Sequence, residues 1–289
     1  MTDDLISPAE LHRALGAASA PSLLDVRWQF AGPAGREQYL AGHIPGADYV
    51  DLDTELSAPS GPGGRRPLPS PEDFTTSMRR HGIRADRPVV VYDAADSSAA
   101  ARGWWLLRYF GHRDVRLLDG GYGAWCDAGF PVTSDTHEGG GAAADAVSVD
   151  GSEFVAVPGG LPVLDAEAAA RLADHGVLLD TRPRDQYLGH AARPGERAGH
   201  IPGALSAPTA DSLTAQGRLR APEQLRAGFA ALGVTPTGPA VGVYCGAGIL
   251  AAQQVLALRI AGIEAAMYPG SWSQWTLDPA RPAATGPSL

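Results

Sequence analysis

An internal repeat constrains the fold of this chain more than any other feature. The motif Gly-His-Ile-Pro-Gly-Ala occurs at residues 42–47 and again, unchanged, at 199–204. Three further segments recur around it in the same order and at nearly constant spacing: 23–27 with 178–182, 89–93 with 241–245, and 118–121 with 267–270. Such self-similarity predicts two copies of one structural unit in a single chain.

Each copy alternates short apolar runs with stretches of helical periodicity. The apolar runs are rich in Val and Leu and bounded by turn residues, as in strands buried on both faces of a sheet. They are 22–26, 88–92, 177–180 and 239–244; the helical stretches are 70–81, 99–110, 165–174, 222–232 and 249–260. This alternation predicts an α/β fold in which each copy is a parallel sheet flanked by helices.

The length of 289 residues suits two domains of ordinary size. Glycine and proline cluster between the copies, with Gly-Gly-Gly at 139–141 and Pro-Gly-Gly at 158–160. We therefore predict an N-terminal domain at 1–132, a linker at 133–160 and a C-terminal domain at 161–289.

Charge and cysteine content narrow the function and the compartment. The net charge of -9 disfavours nucleic-acid binding, which needs a basic surface. No apolar run reaches the about 18 residues that a membrane span needs, and residues 1–8 do not resemble a signal peptide. Only Cys126 and Cys245 are present, too few for a disulfide framework. We expect a cytoplasmic protein that acts on small molecules, and a monomer, because two repeats can pair within one chain.

The two copies differ at the end of their central strand. The first copy has Asp93 there, whereas the second has Cys245, followed by Gly246, Ala247, Gly248, Ile249 and Leu250 at a strand-to-helix junction. Such a junction points backbone N–H groups and the positive end of a helix dipole at one place. A cysteine there is expected to react as a thiolate. The alternative for Cys245 is a buried structural cysteine. Cys126 has no such loop, and we interpret it as structural.

At this point the sequence resembles the tandem-rhodanese family, the thiosulfate and 3-mercaptopyruvate sulfurtransferases. The resemblance covers almost the whole chain and rests on the paired motif, the Cys245 loop and the segments 101–112, 118–121 and 268–275. It implies two rhodanese-like domains, of which the first, with Asp93, is catalytically silent. It also implies that Cys245 takes a sulfur atom as a persulfide and passes it to cyanide, a thiol or thioredoxin. No metal or organic cofactor is implied.

The residues of the loop bear on the choice of sulfur donor. Family members that prefer thiosulfate carry basic residues after the cysteine, whereas those that prefer 3-mercaptopyruvate resemble Cys-Gly-Ser-Gly-Val-Thr. Gly246 and Gly248 agree with the second type, but Ala247 and Leu250 replace its serine and threonine. The resemblance therefore favours 3-mercaptopyruvate, with thiosulfate second.

The resemblance also implies residues that bind the donor. Arg193 falls on a family arginine that resembles a carboxylate clamp, and the position of its partner arginine is occupied by Gln186. Arg184 is close enough in sequence to substitute for that partner.

Four further residues are implied around the site. Trp28 and His43 resemble residues that reach the active-site cleft, although core packing and turn stabilisation are the respective alternatives. Asp180 and Arg182 are expected to brace the cysteine loop through polar contacts.

Two other functions are alternatives to sulfur transfer. A phosphatase on a similar fold needs Cys-x5-Arg to clamp phosphate, and the sixth position after Cys245 is Ala251, which excludes it. A regulatory or persulfide-carrying binding module without turnover stays open, because Ala247 and Leu250 lack the hydroxyl groups of the family pattern.

Overall fold

The computed structural model describes residues 4–29, 34–94, 96–135, 153–192 and 196–287. The chain divides into two compact units. Unit 1 comprises Met1–Ala58, Pro69–Leu161 and Gln216–Arg218, and unit 2 comprises Pro59–Leu68, Pro162–Ala215 and Leu219–Leu289. Each unit has its own sheet, so the predicted pair of α/β domains is confirmed.

Unit 1 contains a five-stranded parallel sheet with the order β1-β5-β4-β2-β3. Its strands are β1 (Leu5–Ile6), β2 (Ser22–Asp25), β3 (Ala47–Tyr49), β4 (Val89–Tyr92) and β5 (Val115–Leu118). Its helices are α1 (Pro8–Leu15), α2 (Gly35–Ala41), α3 (Pro71–Arg80), α4 (Ser98–Tyr109) and α5 (Gly121–Asp127). The central strand β4 is buried throughout, which explains its uninterrupted apolar sequence.

Local sequence fixes where two helices of unit 1, α1 and α3, begin. Ser7 caps α1, where its Oγ accepts the Glu10 N–H at 3.3 Å and Glu10 returns a bond to the Ser7 N–H at 3.0 Å. Ser70 caps α3 by accepting the Asp73 N–H at 3.0 Å. Pro at the first helical position follows both caps. These are the standard start signals of a helix, and they place α3 within the predicted 70–81.

Unit 2 repeats the arrangement with a four-stranded parallel sheet in the order β7-β6-β8-β9. Its strands are β6 (Val177–Asp180), β7 (Leu205–Ser206), β8 (Val241–Tyr244) and β9 (Ala266–Met267). Its helices are α6 (Ala166–His175), α7 (Arg184–Leu188), a 3-10 helix (Thr209–Ser212), α8 (Pro222–Ala230), α9 (Leu250–Ile260) and α10 (Ser271–Trp275). This order matches β3-β2-β4-β5 of unit 1, which confirms the repeat.

The structure corrects the pairing of the last repeated segment by one residue. The strand registers place Val91 beside Leu117 in unit 1 and Val243 beside Met267 in unit 2. Gly121 therefore corresponds to Ser271, whereas the sequence comparison paired it with Gly270. The backbone agrees, because Gly121 has φ 58° and Ser271 has φ 53°.

The unit boundaries differ from the predicted domain boundaries in three places. Residues 59–68 belong to unit 2, although they lie within the first repeat in sequence, and Gln216–Arg218 belong to unit 1, although they lie within the second. The described end of the predicted linker packs on unit 1: Phe154 is buried, its carbonyl accepts Arg79 Nε at 2.9 Å, and the Ala156 N–H donates to Thr75 Oγ1 at 3.0 Å. The glycines at 139–141 lie outside the described residues. None of the helices in the described ranges has the length and apolar character to span a bilayer.

Candidate active site

The cysteine loop joins β8 to α9 in unit 2. Cys245 follows the last residue of β8 and is only 2% exposed. The backbone turns at Gly248, whose φ of +78° is accessible to glycine at little cost, and the Gly248 N–H donates to Cys245 Sγ at 3.0 Å. Helix α9 begins at Leu250, so its N-terminal end follows directly. The loop thus aims the Gly248 N–H at the sulfur, and the sulfur lies where negative charge is favoured.

Ser271 is a site residue that the sequence analysis missed. It is fully buried, and its Oγ accepts the Cys245 N–H at 3.1 Å, donates to the Tyr268 carbonyl at 2.9 Å and lies 3.9 Å from Cys245 Sγ. A non-glycine residue at positive φ costs roughly 1–2 kcal/mol. Strain of this kind is found where the side chain has a function. The sequence does carry a signal for Ser271, because the corresponding residue of unit 1 is Gly121. Pairing the repeats one residue out of register conceals that correspondence.

Asp180 and Arg182 lie beneath the loop as a buried ion pair. Arg182 Nε donates to Asp180 Oδ1 at 3.0 Å, and Arg182 Nη2 donates to the Gly199 carbonyl at 2.7 Å. The guanidinium also lies 4.8 Å from the ring centre of Trp272, whose backbone N–H donates to the Cys245 carbonyl at 2.9 Å. Burial is the largest single influence and lowers the pKa of Arg182, but the hydrogen bond to Asp180 and the attraction of nearby negative charges together outweigh burial, so this pKa is raised. The contacts are compatible with bracing of the loop, and that role stays a prediction.

The same brace exists in unit 1. Arg27 Nε donates to Asp25 Oδ1 at 3.0 Å, Arg27 Nη2 donates to the Gly42 carbonyl at 2.7 Å, and the guanidinium lies 4.5 Å from the ring centre of Tyr122. Unit 1 has no cysteine at the corresponding loop. The brace therefore belongs to the fold rather than to the chemistry.

The corresponding loop of unit 1 holds a carboxylate instead of a thiol. Asp93 Oδ1 accepts the Ser97 N–H at 3.1 Å and Asp93 Oδ2 accepts the Ala100 N–H at 3.1 Å. Helix α4 begins at Ser98, the same distance along the chain from Asp93 as α9 begins from Cys245. In both loops a helix begins five residues after this position and backbone N–H groups donate to its side chain, although from different places in the loop, and both features stabilise negative charge there.

An arginine outside the predicted set also lies at the cysteine loop. Arg65 is part of unit 2 through the segment 59–68, and its guanidinium pairs with Glu196. A Cβ built on Gly246 would stand 3.1 Å from Arg65 Nη2. The loop itself has no basic residue, but unit 2 brings one to its edge.

The structure describes two of the three predicted donor-binding residues of unit 2. Arg193 lies outside the described residues. Arg184, the exposed first residue of α7, lines a cavity of about 260 Å³ together with the 3-10 helix and parts of α8 and α9, and no loop residue lines that cavity. Gln186 is half-buried on α7. The donor-binding role of these three residues stays a prediction.

Trp28 and His43 have defined contacts inside unit 1. Trp28 is half-buried, and its Nε1–H donates to Asp53 Oδ2 at 2.9 Å. His43 is fully buried, its Nδ1–H donates to the Tyr39 carbonyl at 2.8 Å, and it stacks on Tyr39. His200 in unit 2 makes the same two contacts with Tyr187. The match favours the turn-stabilising alternative for His43, and a substrate role stays a prediction for both residues.

The remaining loop residues line the turn. Ala247 and Ile249 are buried, whereas Gly246 and Leu250 are half-buried. The Gly246 carbonyl accepts the Ser273 N–H at 3.0 Å, which ties the loop to α10. Cys126 is exposed on α5 of unit 1. Among the described residues, no group of His, Cys, Asp and Glu could hold a metal ion.

Comparisons with known proteins agree with this geometry. The Rhodanese-like domain family matches residues 7–128 and again 164–278. SseB of Mycobacterium tuberculosis, provisionally named a thiosulfate sulfurtransferase, is 40% identical over 283 residues, 98% of this chain and 97% of the relative. The 3-mercaptopyruvate sulfurtransferase of Escherichia coli K12 is 34% identical over 267 residues, 88% of each chain. The crystal structure of SseA from Escherichia coli, a 3-mercaptopyruvate sulfotransferase, has a TM-score of 0.79 at 28% identity and covers 93% of this chain and 98% of that one.

Proposed function

Because the chain belongs to the rhodanese-like family of sulfurtransferases, we propose that it moves sulfur from an anionic donor to a thiophilic acceptor through a persulfide on Cys245. The observation that carries the proposal is the setting of the sulfur. Cys245 Sγ accepts the Gly248 N–H at 3.0 Å and lies 3.9 Å from the Ser271 hydroxyl. The matching position in unit 1 holds the carboxylate of Asp93 with the same kind of donors.

The first half-reaction loads the enzyme. The Cys245 thiolate forms a bond to the donor sulfur, and with 3-mercaptopyruvate the electron pair of the breaking C–S bond leaves on carbon as an enolate. That carbon takes up the proton that the donor thiol gives up, and pyruvate departs. The persulfide keeps a negative charge on its outer sulfur, which fixed N–H groups stabilise without reorganisation.

The second half-reaction unloads the enzyme. A thiolate or cyanide ion attacks the outer sulfur, and the electron pair of the S–S bond returns to Cys245 as the thiolate. The acceptor leaves as a persulfide or as thiocyanate, so charge and atoms balance. Neither half-reaction requires a metal or an organic cofactor.

We favour 3-mercaptopyruvate as the donor, with thiosulfate second. Two features of the loop support this order. Gly246 and Gly248 agree with the family pattern for 3-mercaptopyruvate, and the loop carries no basic side chain that would favour a dianion such as thiosulfate. Relatives named for each of the two donors align over most of the chain. Arg193, Arg184 and Gln186 remain the candidate residues for the donor carboxylate.

Acceptor, compartment and assembly are also part of the proposal. We propose a small thiol or a thioredoxin-like protein as the acceptor, because a thiolate is the kind of nucleophile that attacks the outer sulfur of a persulfide. Cys126 and Cys245 are both free thiols, which supports a reducing compartment such as the cytoplasm. We propose a monomer, which size-exclusion chromatography with light scattering would test.

The test is cyanide-dependent release of thiocyanate from each donor, with Cys245→Ser as the control. We expect release with the unmodified protein, faster with 3-mercaptopyruvate, and none above background with Cys245→Ser. Intact-mass spectrometry after donor treatment should show one added sulfur atom, lost in the variant. Loading without turnover would instead support the non-turnover binding module, and absence of loading would refute the proposal.

A further inference from the structure

The segment 59–68 is packed against the start of α10, although the sequence places it in the first repeat. Gly61 and Gly64 form a tight turn with N···O distances of 3.0 and 2.9 Å. The Arg65 N–H then donates to Ser273 Oγ at 3.0 Å. Gly64 has φ +102°, and a Cβ there would come within 2.7 Å of Ser273 Oγ, so the position demands glycine. The turn is built to place the next residue, Arg65, at the cysteine loop.

The side chain of Arg65 is held at the edge of that loop. Its Nη1 forms an ion pair with Glu196, and the two side chains are 28% and 15% exposed. Its Nη2 lies 3.1 Å from the position that a Cβ of Gly246 would occupy. Gly246 precedes the turn that aims the Gly248 N–H at Cys245 Sγ. The partly buried charge is therefore adjacent to the reacting cysteine, where solvent screens it less than on an open surface.

We propose that Arg65 binds the anionic group of the sulfur donor and that Glu196 competes with the donor for the same guanidinium. The proposal rests on the sulfurtransferase function above. A guanidinium presents five N–H donors in a planar fork, so it can pair with a donor carboxylate or sulfonate-like group as well as with Glu196. Arg65 thereby supplies the positive charge that the loop sequence lacks, and Gly246 leaves space for it.

A structural role for Arg65 makes a different prediction. If the ion pair only fastens segment 59–68 to unit 2, neutralising either partner weakens the same contact and lowers activity and thermal stability together. If Arg65 binds the donor, the two substitutions act in opposite directions. Loss of the arginine removes the donor contact, whereas loss of the Glu196 charge removes a competitor.

The experiment compares Arg65→Gln, Arg65→Lys and Glu196→Gln in the full-length protein with 3-mercaptopyruvate and thiosulfate. We expect Arg65→Gln to raise KM about 10- to 100-fold, the range for loss of a hydrogen bond to a charged group. Arg65→Lys should fall between it and the unmodified enzyme, because the charge stays but the fork is lost. Glu196→Gln should lower KM.

The two half-reactions separate failure of this proposal from failure of the function. Loading of Cys245 by each donor is followed by intact mass, and discharge of the loaded enzyme is followed with 2-mercaptoethanol. Arg65→Gln should slow loading and leave discharge unchanged. Equal losses in Arg65→Gln and Glu196→Gln, in both half-reactions and with lower Tm, would overturn the donor-binding role. If the unmodified protein does not load at all, the function itself fails. Should Arg65→Gln not fold, the direction of the Glu196→Gln effect decides.

Discussion

The loops after β4 and β8 are two versions of one structure with different groups at the centre. In unit 1, Asp93 accepts two backbone N–H groups at 3.1 Å and closes the loop on itself. In unit 2, Cys245 takes the same place with one N–H at 3.0 Å and the Ser271 hydroxyl nearby. The comparison shows how one loop serves two purposes. With the Asp93 carboxylate the loop binds its own fixed anion, whereas with the Cys245 thiol it is free to stabilise an anionic sulfur that arrives and leaves.

The largest effect should come from making the second loop a copy of the first. Cys245→Asp should remove turnover, by more than about a thousandfold, because no nucleophilic sulfur remains. The new carboxylate should accept the loop N–H groups as Asp93 does, so Tm should be retained or rise. Thiocyanate release and differential scanning calorimetry measure the two effects. Cys126→Ser is the matched control and should keep full activity, since Cys126 is exposed on α5.

The reverse test removes the carboxylate from the first loop. Asp93→Ala leaves the N–H groups of Ser97 and Ala100 without their acceptor in a buried place and should cost about 1–3 kcal/mol of the free energy of unfolding. Urea denaturation measures this loss. Asp127→Ala, an exposed position on α5, should change stability little. If both variants are equally stable, the carboxylate is not the group that stabilises this loop.

The smallest and most selective effect should come from Ser271. Ser271→Ala removes the hydroxyl but keeps a Cβ at φ 53°, whereas Ser271→Gly also relieves the backbone strain, as Gly121 does in unit 1. Both should lower kcat/KM about tenfold, because a hydroxyl that turns from the Tyr268 carbonyl towards the sulfur 3.9 Å away would give the anion one charge-assisted hydrogen bond. The glycine variant should be more stable than the alanine variant by about 1 kcal/mol. Unchanged kcat/KM in both would show that the hydroxyl does not act on the sulfur.

Much of the fold and the centre of the site follow from sequence because their signals are local. The apolar runs of β2, β4, β6 and β8 and the Ser7 and Ser70 caps mark elements through neighbouring residues. Cys245 stands out because the repeat shows Asp93 at the same place.

The missed residues depend on tertiary structure. Ser271 needed the strand register of β9, which is only two residues long and gives a weak sequence pattern. Arg65 lies next to Gly246 only after the chain folds, since its N–H partner, Ser273, is 208 residues away. No local periodicity reports a contact of that kind. The predicted linker shows the same limit, because glycine and proline content did not reveal that Phe154 packs on unit 1.

The placement of residues 59–68 has a consequence for how the protein is made. This segment leaves the ribosome long before α10 exists, and at 5–20 residues per second its partner Ser273 follows on the order of 10 to 40 seconds later. During that interval the strands and helices of unit 1 can form, but the contact of Arg65 with the cysteine loop cannot. The chain therefore acquires a complete active centre only after α10 has been synthesised, and residues 162–289 expressed alone would lack Arg65.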